Sequence, residues 1–189
     1  NLTQVVEEDA LFKYRNKQHI AKIKGVSDGF IENSQIDTMT VNGNFVLQEG
    51  NVNFAVVGAG IAWYLDIYPE NVSDLLSVYV PKRGNQSSFN FENAFNSSAL
   101  HPTGVFSVQQ EFDEKYVFVP LRFAKKMMDY GDEVTSVEIR LITEYDTQSI
   151  QESIEKILGN EFDVKNRYQQ NETLFKLLKS EKTAIFLIL

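Results

Sequence analysis

SVEIRLITEYDTQSIQESIEKILGNEFDV, residues 136–164, carries the clearest secondary-structure pattern in the chain. Val137, Ile139 and Leu141 alternate with Ser136, Glu138 and Arg140, the period-2 signature of a strand with one wet face. Asp146 or Thr147 then caps a helix that gathers Ile150, Ile154, Ile157 and Leu158 on one side. Gly159 stops that helix, and Phe162-Asp163-Val164 reads as a second strand. A β-α-β unit of this length predicts mixed α/β layering, an α+β fold.

The pattern upstream is richer in strands. Residues 5–26 read as a hairpin: Leu11–Arg15, a polar turn at Asn16-Lys17-Gln18, then His19–Val26. The polar, Gly- and Asn-punctuated stretch 27–50 predicts a connection carrying a short helix or turn. Phe54-Ala55-Val56-Val57 leads through Gly58-Ala59-Gly60 into a helix ending near Leu65. Leu75–Val80 is a strand ended by Pro81, and two more strands are expected around Thr103–Val108 and Tyr116–Val119. Pro120 introduces a helix that runs to about Tyr130. Beyond Arg167 an amphipathic helix runs into the apolar Ala184-Ile-Phe-Leu-Ile-Leu189, which reads as the first part of a transmembrane helix.

Composition bounds the function. A chain of 189 residues, 43% hydrophobic and 12% aromatic, suits one domain or two small subdomains with a real core. It has no cysteine, which removes disulfides, thiol nucleophiles and thiolate metal sites. Two histidines, His19 and His101, rule out a His-rich metal centre and read as ordinary strand or loop residues. The net charge of −8 is spread as −2, −2 and −4 over residues 1–49, 50–131 and 132–189. No basic stripe exists, so a nucleic-acid partner is not expected. The densest basic cluster, Arg122, Lys125 and Lys126, fits one solvated helix face beside Phe123 and Met127.

Catalytic signals are weak. Gly58-Ala59-Gly60 sits at a strand-to-helix turn, but Trp63 stands where a dinucleotide fold needs its third small residue, and a tight structural turn is the better reading. Glu111, Asp113 and Glu114 lack the glycine and spacing of a calcium loop and read as the solvated tip of a hairpin. No Ser-His-Asp arrangement is readable, so no enzyme activity, cofactor or metal is expected. The long segment 82–98 differs in kind: Lys82, Arg83, Phe89, Phe91 and Phe95 combine two cations with three aromatics, a composition suited to docking a partner. The competing expectation is that these rings fold back onto the parent sheet.

Several passages, in order, resemble permeases of lipoprotein-releasing ABC transporters of the LolC/LolE type. Arg167, Leu174, Phe175, Glu181 and Lys182 match the approach to that family's second transmembrane helix, although Asn166 stands where the family carries Trp. Pro102, Gly104, Phe106, Asp113 and Val119-Pro120-Leu121 resemble its Gly-x-Phe, acidic and Pro-Leu passage. Val57-Gly58 with Ala62 and Leu65, and Lys24-Gly25-Val26, resemble its strand-to-helix entry and its early strand end. The resemblance implies an extracytoplasmic domain looped between the first two transmembrane helices of an FtsX-like permease, with a MacB-like periplasmic core facing the periplasm. It further implies a Porter-like subdomain from 1–50 with 132–189 and a Sabre-like subdomain from 51–131. The implied partners are a cytoplasmic ATP-binding subunit, a second permease subunit (the same or related), and a periplasmic lipoprotein chaperone hooked by 82–98. The family's hook bears proline; 82–98 has none. A MacB/FtsX-like efflux or cell-division module is the alternative, and a nucleotide-binding small-molecule enzyme resting on Gly58–Gly60 is a second.

Overall fold

The structure is a computed structural model and describes residues 1–83, 94–141 and 146–170. Two units divide the chain, 1–140 and 141–189.

The first unit begins with the expected hairpin. Strand β1 (Leu2–Tyr14) pairs antiparallel with β2 (Lys17–Val26) from Val5↔Val26 to Tyr14↔Lys17, so the turn is Arg15-Asn16. Arg15 takes a left-handed φ of 54°, and its Nε donates to Asp74 Oδ2 at 2.8 Å, which anchors the strained corner. The connection after β2 carries helix α1 (Phe30–Ser34), β3 (Thr40–Gly43) and β4 (Gln48–Glu49). Strand β5 (Val52–Gly58) runs directly into α2 (Ala59–Leu65), as its apolar run and glycines predict. Then come β6 (Leu76–Pro81), β7 (Phe95–Phe106), α3 (Gln110–Asp113), β8 (Tyr116–Pro120), α4 (Leu121–Met127) and β9 (Ser136–Ile139).

The strands join in the order β3-β7-β6-β1-β2-β8-β5-β4, and a further ladder pairs β7 with β5. That ladder closes a circuit of six strands, β7-β6-β1-β2-β8-β5, and so covers edges that an open sheet would expose. Two pairings in it are parallel, β2 with β8 and β5 with β7. Residues on both sides of 51 and of 131 share this sheet: β1 and β2 bond to β6 and β8, and β9 bonds to the first residues of β1.

Alternation along the strands feeds two cores. Val6, Phe12, Ile23, Val57 and Val117 pack with α2 residues Ile61 and Leu65 and α4 residues Phe123 and Met127. Their chain neighbours Val5, Val56 and Phe118 face the other way, into a second core with Phe30, Phe45 and Phe106. Phe118 sits among rings, 5.1 Å from Phe106, 5.4 Å from Phe30 and 5.7 Å from Phe45.

Three expectations fail. Strand β9 forms, but its polarity is inverted: Val137 is 45% and Ile139 50% exposed while Glu138 turns inward to Lys24. Glu111, Asp113 and Glu114 do not tip a hairpin, because β7 and β8 do not pair with each other. They lie in and just after α3, where buried Asp113 accepts from Ser107 Oγ at 2.7 Å and Val108 N at 2.8 Å. Residues 162–164 form no strand either, so the β-α-β unit is incomplete.

The second unit shows why. Helix α5 (Thr147–Leu158) is capped by Asp146, whose Oδ1 accepts from Gln148 N at 3.1 Å, and it ends at Gly159 with φ 70°. Gln151 Nε2 then donates to Val164 O at 2.9 Å, and Asn166 Nδ2 donates to Gln151 Oε1 at 2.9 Å. A helix side chain thus satisfies a carbonyl of this segment that a neighbouring strand would otherwise claim. Helix α6 (Arg167–Gln170) starts at the expected place. Among the described residues no helix is long and apolar enough to cross a membrane, and the tail 184–189 lies outside them.

Candidate partner-binding site

Strands β6 and β7 form a hairpin whose last ladder pair is Pro81↔Phe95, and Lys82 N extends it by donating to Ala94 O at 2.9 Å. The stem therefore brings Lys82, Arg83 and Phe95 together at the root of the segment singled out in the sequence. Phe89 and Phe91 lie outside the described residues.

The stem is fastened to the turn that follows α4. Arg83 stacks its guanidinium 3.6 Å from the centre of the Tyr130 ring and lies 4.0 Å from Glu133 Oε1. Asn96 Nδ2 donates to Met127 O at 3.0 Å and to Asp129 Oδ2 at 2.8 Å. Tyr130 in turn donates to Glu8 Oε1 at 3.2 Å, carrying the anchor across to β1. Burial, reinforced by Glu8, pushes the Tyr130 hydroxyl up from the usual phenol range. Glu133 is held below the ordinary carboxylate range by its own backbone N–H and that of Gly131, which donates to Oε2 at 2.7 Å. The exposed Arg83–Glu133 pair adds little stability by itself; the stacking gives the cation a fixed direction. Nothing in the sequence pointed to Tyr130 and Glu133 as partners of Arg83, since the pairing spans a long separation and no motif encodes it.

The glycine turn has a structural explanation. A Cβ on Gly58 would lie 2.2 Å from Asp113 O, and one on Gly60 would lie 2.6 Å from Glu114 Cγ. Both glycines therefore admit α3 against the β5–α2 corner. His19 packs its ring 4.9 Å from that of Tyr64. Among the described residues no cluster of three His, Asp or Glu side chains is placed to hold a metal.

No protein-family model matches the chain. No curated protein matches it either. Solved structures do. The extracellular domain of the noncanonic ABC-type transporter YknZ from Gram-positive bacteria aligns with a TM-score of 0.57 at 11% identity, covering 88% of this chain and 81% of that one. The periplasmic region of MacB from Actinobacillus actinomycetemcomitans aligns at 0.56 and 13% identity, covering 84% of this chain. A domain of a candidate permease from Porphyromonas gingivalis aligns at 0.50 and 13% identity, covering 86% of this chain. The chain spans 65% of the length of each of the last two. At these identities the likeness is one of fold.

Proposed function

We propose that this chain is the extracytoplasmic domain of an ABC transporter permease, moved by membrane helices that a separate cytoplasmic ATP-binding subunit drives. The observation that carries the reading is the fold likeness to the YknZ extracellular domain over 88% of this chain. A domain in that position acts as a lever, which requires two arrangements of similar free energy whose balance the nucleotide state biases. A second permease subunit, identical or related, completes the transporter.

The finer reading is handover of lipoproteins from the inner membrane, with 82–98 as the docking tip for a periplasmic chaperone. Two cations and three aromatics suit an acceptor with an acidic rim and an apolar centre. The anchored stem supports it, because Arg83–Tyr130 and Asn96–Met127 fix the two strand ends from which the segment departs. Photocrosslinking from position 89 or 91 in whole cells tests this. Capture of a lipoprotein chaperone is expected. Capture of an outer-membrane channel or a cell-wall hydrolase activator instead transfers the domain to the MacB/FtsX-like efflux or division reading.

A further inference from the structure

Helix α2 buries Ile61, Ala62 and Leu65, which leaves the next two positions of the turn, Trp63 and Tyr64, facing out. Trp63 is 81% exposed and Tyr64 49%. An indole in water forgoes a large burial gain, so a standing exposed Trp beside an exposed Tyr calls for a ligand. These rings, together with Asp66 and with Asn16, Lys17 and Gln18, line an open surface depression of about 610 Å³.

From this lining we infer that the depression is a binding site for a neutral saccharide built of pyranose rings. The charges decide against an ionic ligand. Lys17 Nζ pairs with Asp66 Oδ2 at 2.6 Å within the lining, so its one cation and one anion cancel. The aromatic faces suit the flat C–H face of a pyranose, whose hydrogens carry the partial positive charge that a ring's negative face attracts. The side-chain amides of Asn16 and Gln18 are exposed and make no hydrogen bond with any described residue. Each offers both a donor and an acceptor to ring hydroxyls. A purely apolar peptide would leave those amides and the ion pair facing nothing. Part of the lining is held in place: the Tyr64 ring packs on His19, and the ion pair ties the β1–β2 turn to the end of α2. Fixing these groups lowers part of the ordering cost on binding.

The chain supplies its own probe, since Trp63 is its single tryptophan. Titration with chitotetraose and with cellotetraose is expected to give a saturable blue shift of the Trp63 emission for at least one of them. Asn16→Ala combined with Gln18→Ala, both on exposed positions, is expected to weaken the apparent Kd about tenfold while leaving the melting temperature unchanged. Saturation-transfer NMR on the sugar protons is expected to lose its signal in Trp63→Ala. Three results overturn the inference: no emission change with either sugar at ~10 mM, undiminished saturation transfer in Trp63→Ala, or a blue shift that follows protein concentration without sugar. The last would make the aromatic wall a contact between copies of the chain.

Discussion

Lys24 Nζ lies 2.7 Å from Glu138 Oε1, a contact that joins strand β2 to the last strand of the first unit. Glu7 Oε1 sits 3.0 Å from the same nitrogen, and the Tyr116 ring lies 5.4 Å from it. This cation explains the inverted strand β9. Turning Glu138 inward leaves Val137 and Ile139 half exposed, and the reward is a buried ammonium with two counterions. Lys24→Met removes the cation and leaves two carboxylates facing each other. A fully buried pair broken in this way costs several kcal/mol, and partial solvent access to the carboxylates reduces that to about 2 kcal/mol. Urea midpoints measure it, and adding Glu138→Gln is expected to recover part of the loss. An unchanged midpoint in Lys24→Met would contradict the role assigned here.

Alkaline pH tests the same cluster. Burial opposes the Lys24 charge, but Glu138 and Glu7 outweigh it and raise its pKa above the ordinary lysine value. Tyr14 is also raised, by burial first and then by Asp74, and Tyr130 by burial and Glu8. In each case the folded state holds its proton more tightly than the unfolded chain. The associated stability is therefore complete below about pH 10, the unfolded phenol and ammonium range, and drains away as pH rises through the folded values. Melting temperature is expected to fall from pH ~10 upward, less steeply in Lys24→Met. A flat profile to about pH 11 would refute the sign.

Tyr14 carries a second prediction. Its side chain is fully buried, yet its hydroxyl finds no hydrogen-bond partner among the described residues. Tyr14→Phe removes an unsatisfied polar atom and keeps the ring, so it should raise stability by about 1 kcal/mol. A loss of stability on chemical denaturation would mean the hydroxyl is satisfied in solution.

Gly58→Ala should destabilise by about 2 kcal/mol or more, because the new methyl would meet Asp113 O at 2.2 Å and backbone must shift. Thermal-shift titration of the native chain with NAD, NADP or ATP should give no saturable response. A saturable rise that Gly58→Ala abolishes would restore the nucleotide-enzyme reading.

Phe89→Asp with Phe91→Asp is expected to leave the melting temperature unchanged while abolishing crosslinking to the partner. A large drop in melting temperature would mean these rings belong to the core and not to a docking tip.

Local chemistry was readable in the sequence and long-range pairing was not. The hairpin 5–26, the β5–α2 corner, the helix after Pro120 and the Asp146 cap each depend on neighbouring residues, and each forms, although the hairpin turn lies at Arg15-Asn16 and the helix ends at Met127, short of Tyr130. Period-2 alternation located β9 but not its orientation, which is set by a lysine more than a hundred residues away. Phe162–Val164 has strand composition, but no described strand pairs with it and Gln151 takes the Val164 carbonyl. The β5–β7 ladder that closes the strand circuit likewise leaves no local trace. At the candidate site the cations and Phe95 were legible as composition, whereas the Tyr130 anchor was not. Trp63 was noticed only as an obstacle to a dinucleotide turn, because its exposure is a property of which α2 face the core claims.

The proposed function puts this domain outside the cytoplasmic membrane, and that placement can be tested directly. The chain has no cysteine, so Asn51→Cys, on the exposed turn before β5, gives the domain a single thiol. Spheroplasts expressing the variant are treated with a membrane-impermeant maleimide before and after lysis, with the unsubstituted protein as background. Full labelling of the new thiol in intact spheroplasts is the expected result; labelling that develops only after lysis would place the domain in the cytoplasm and contradict the account.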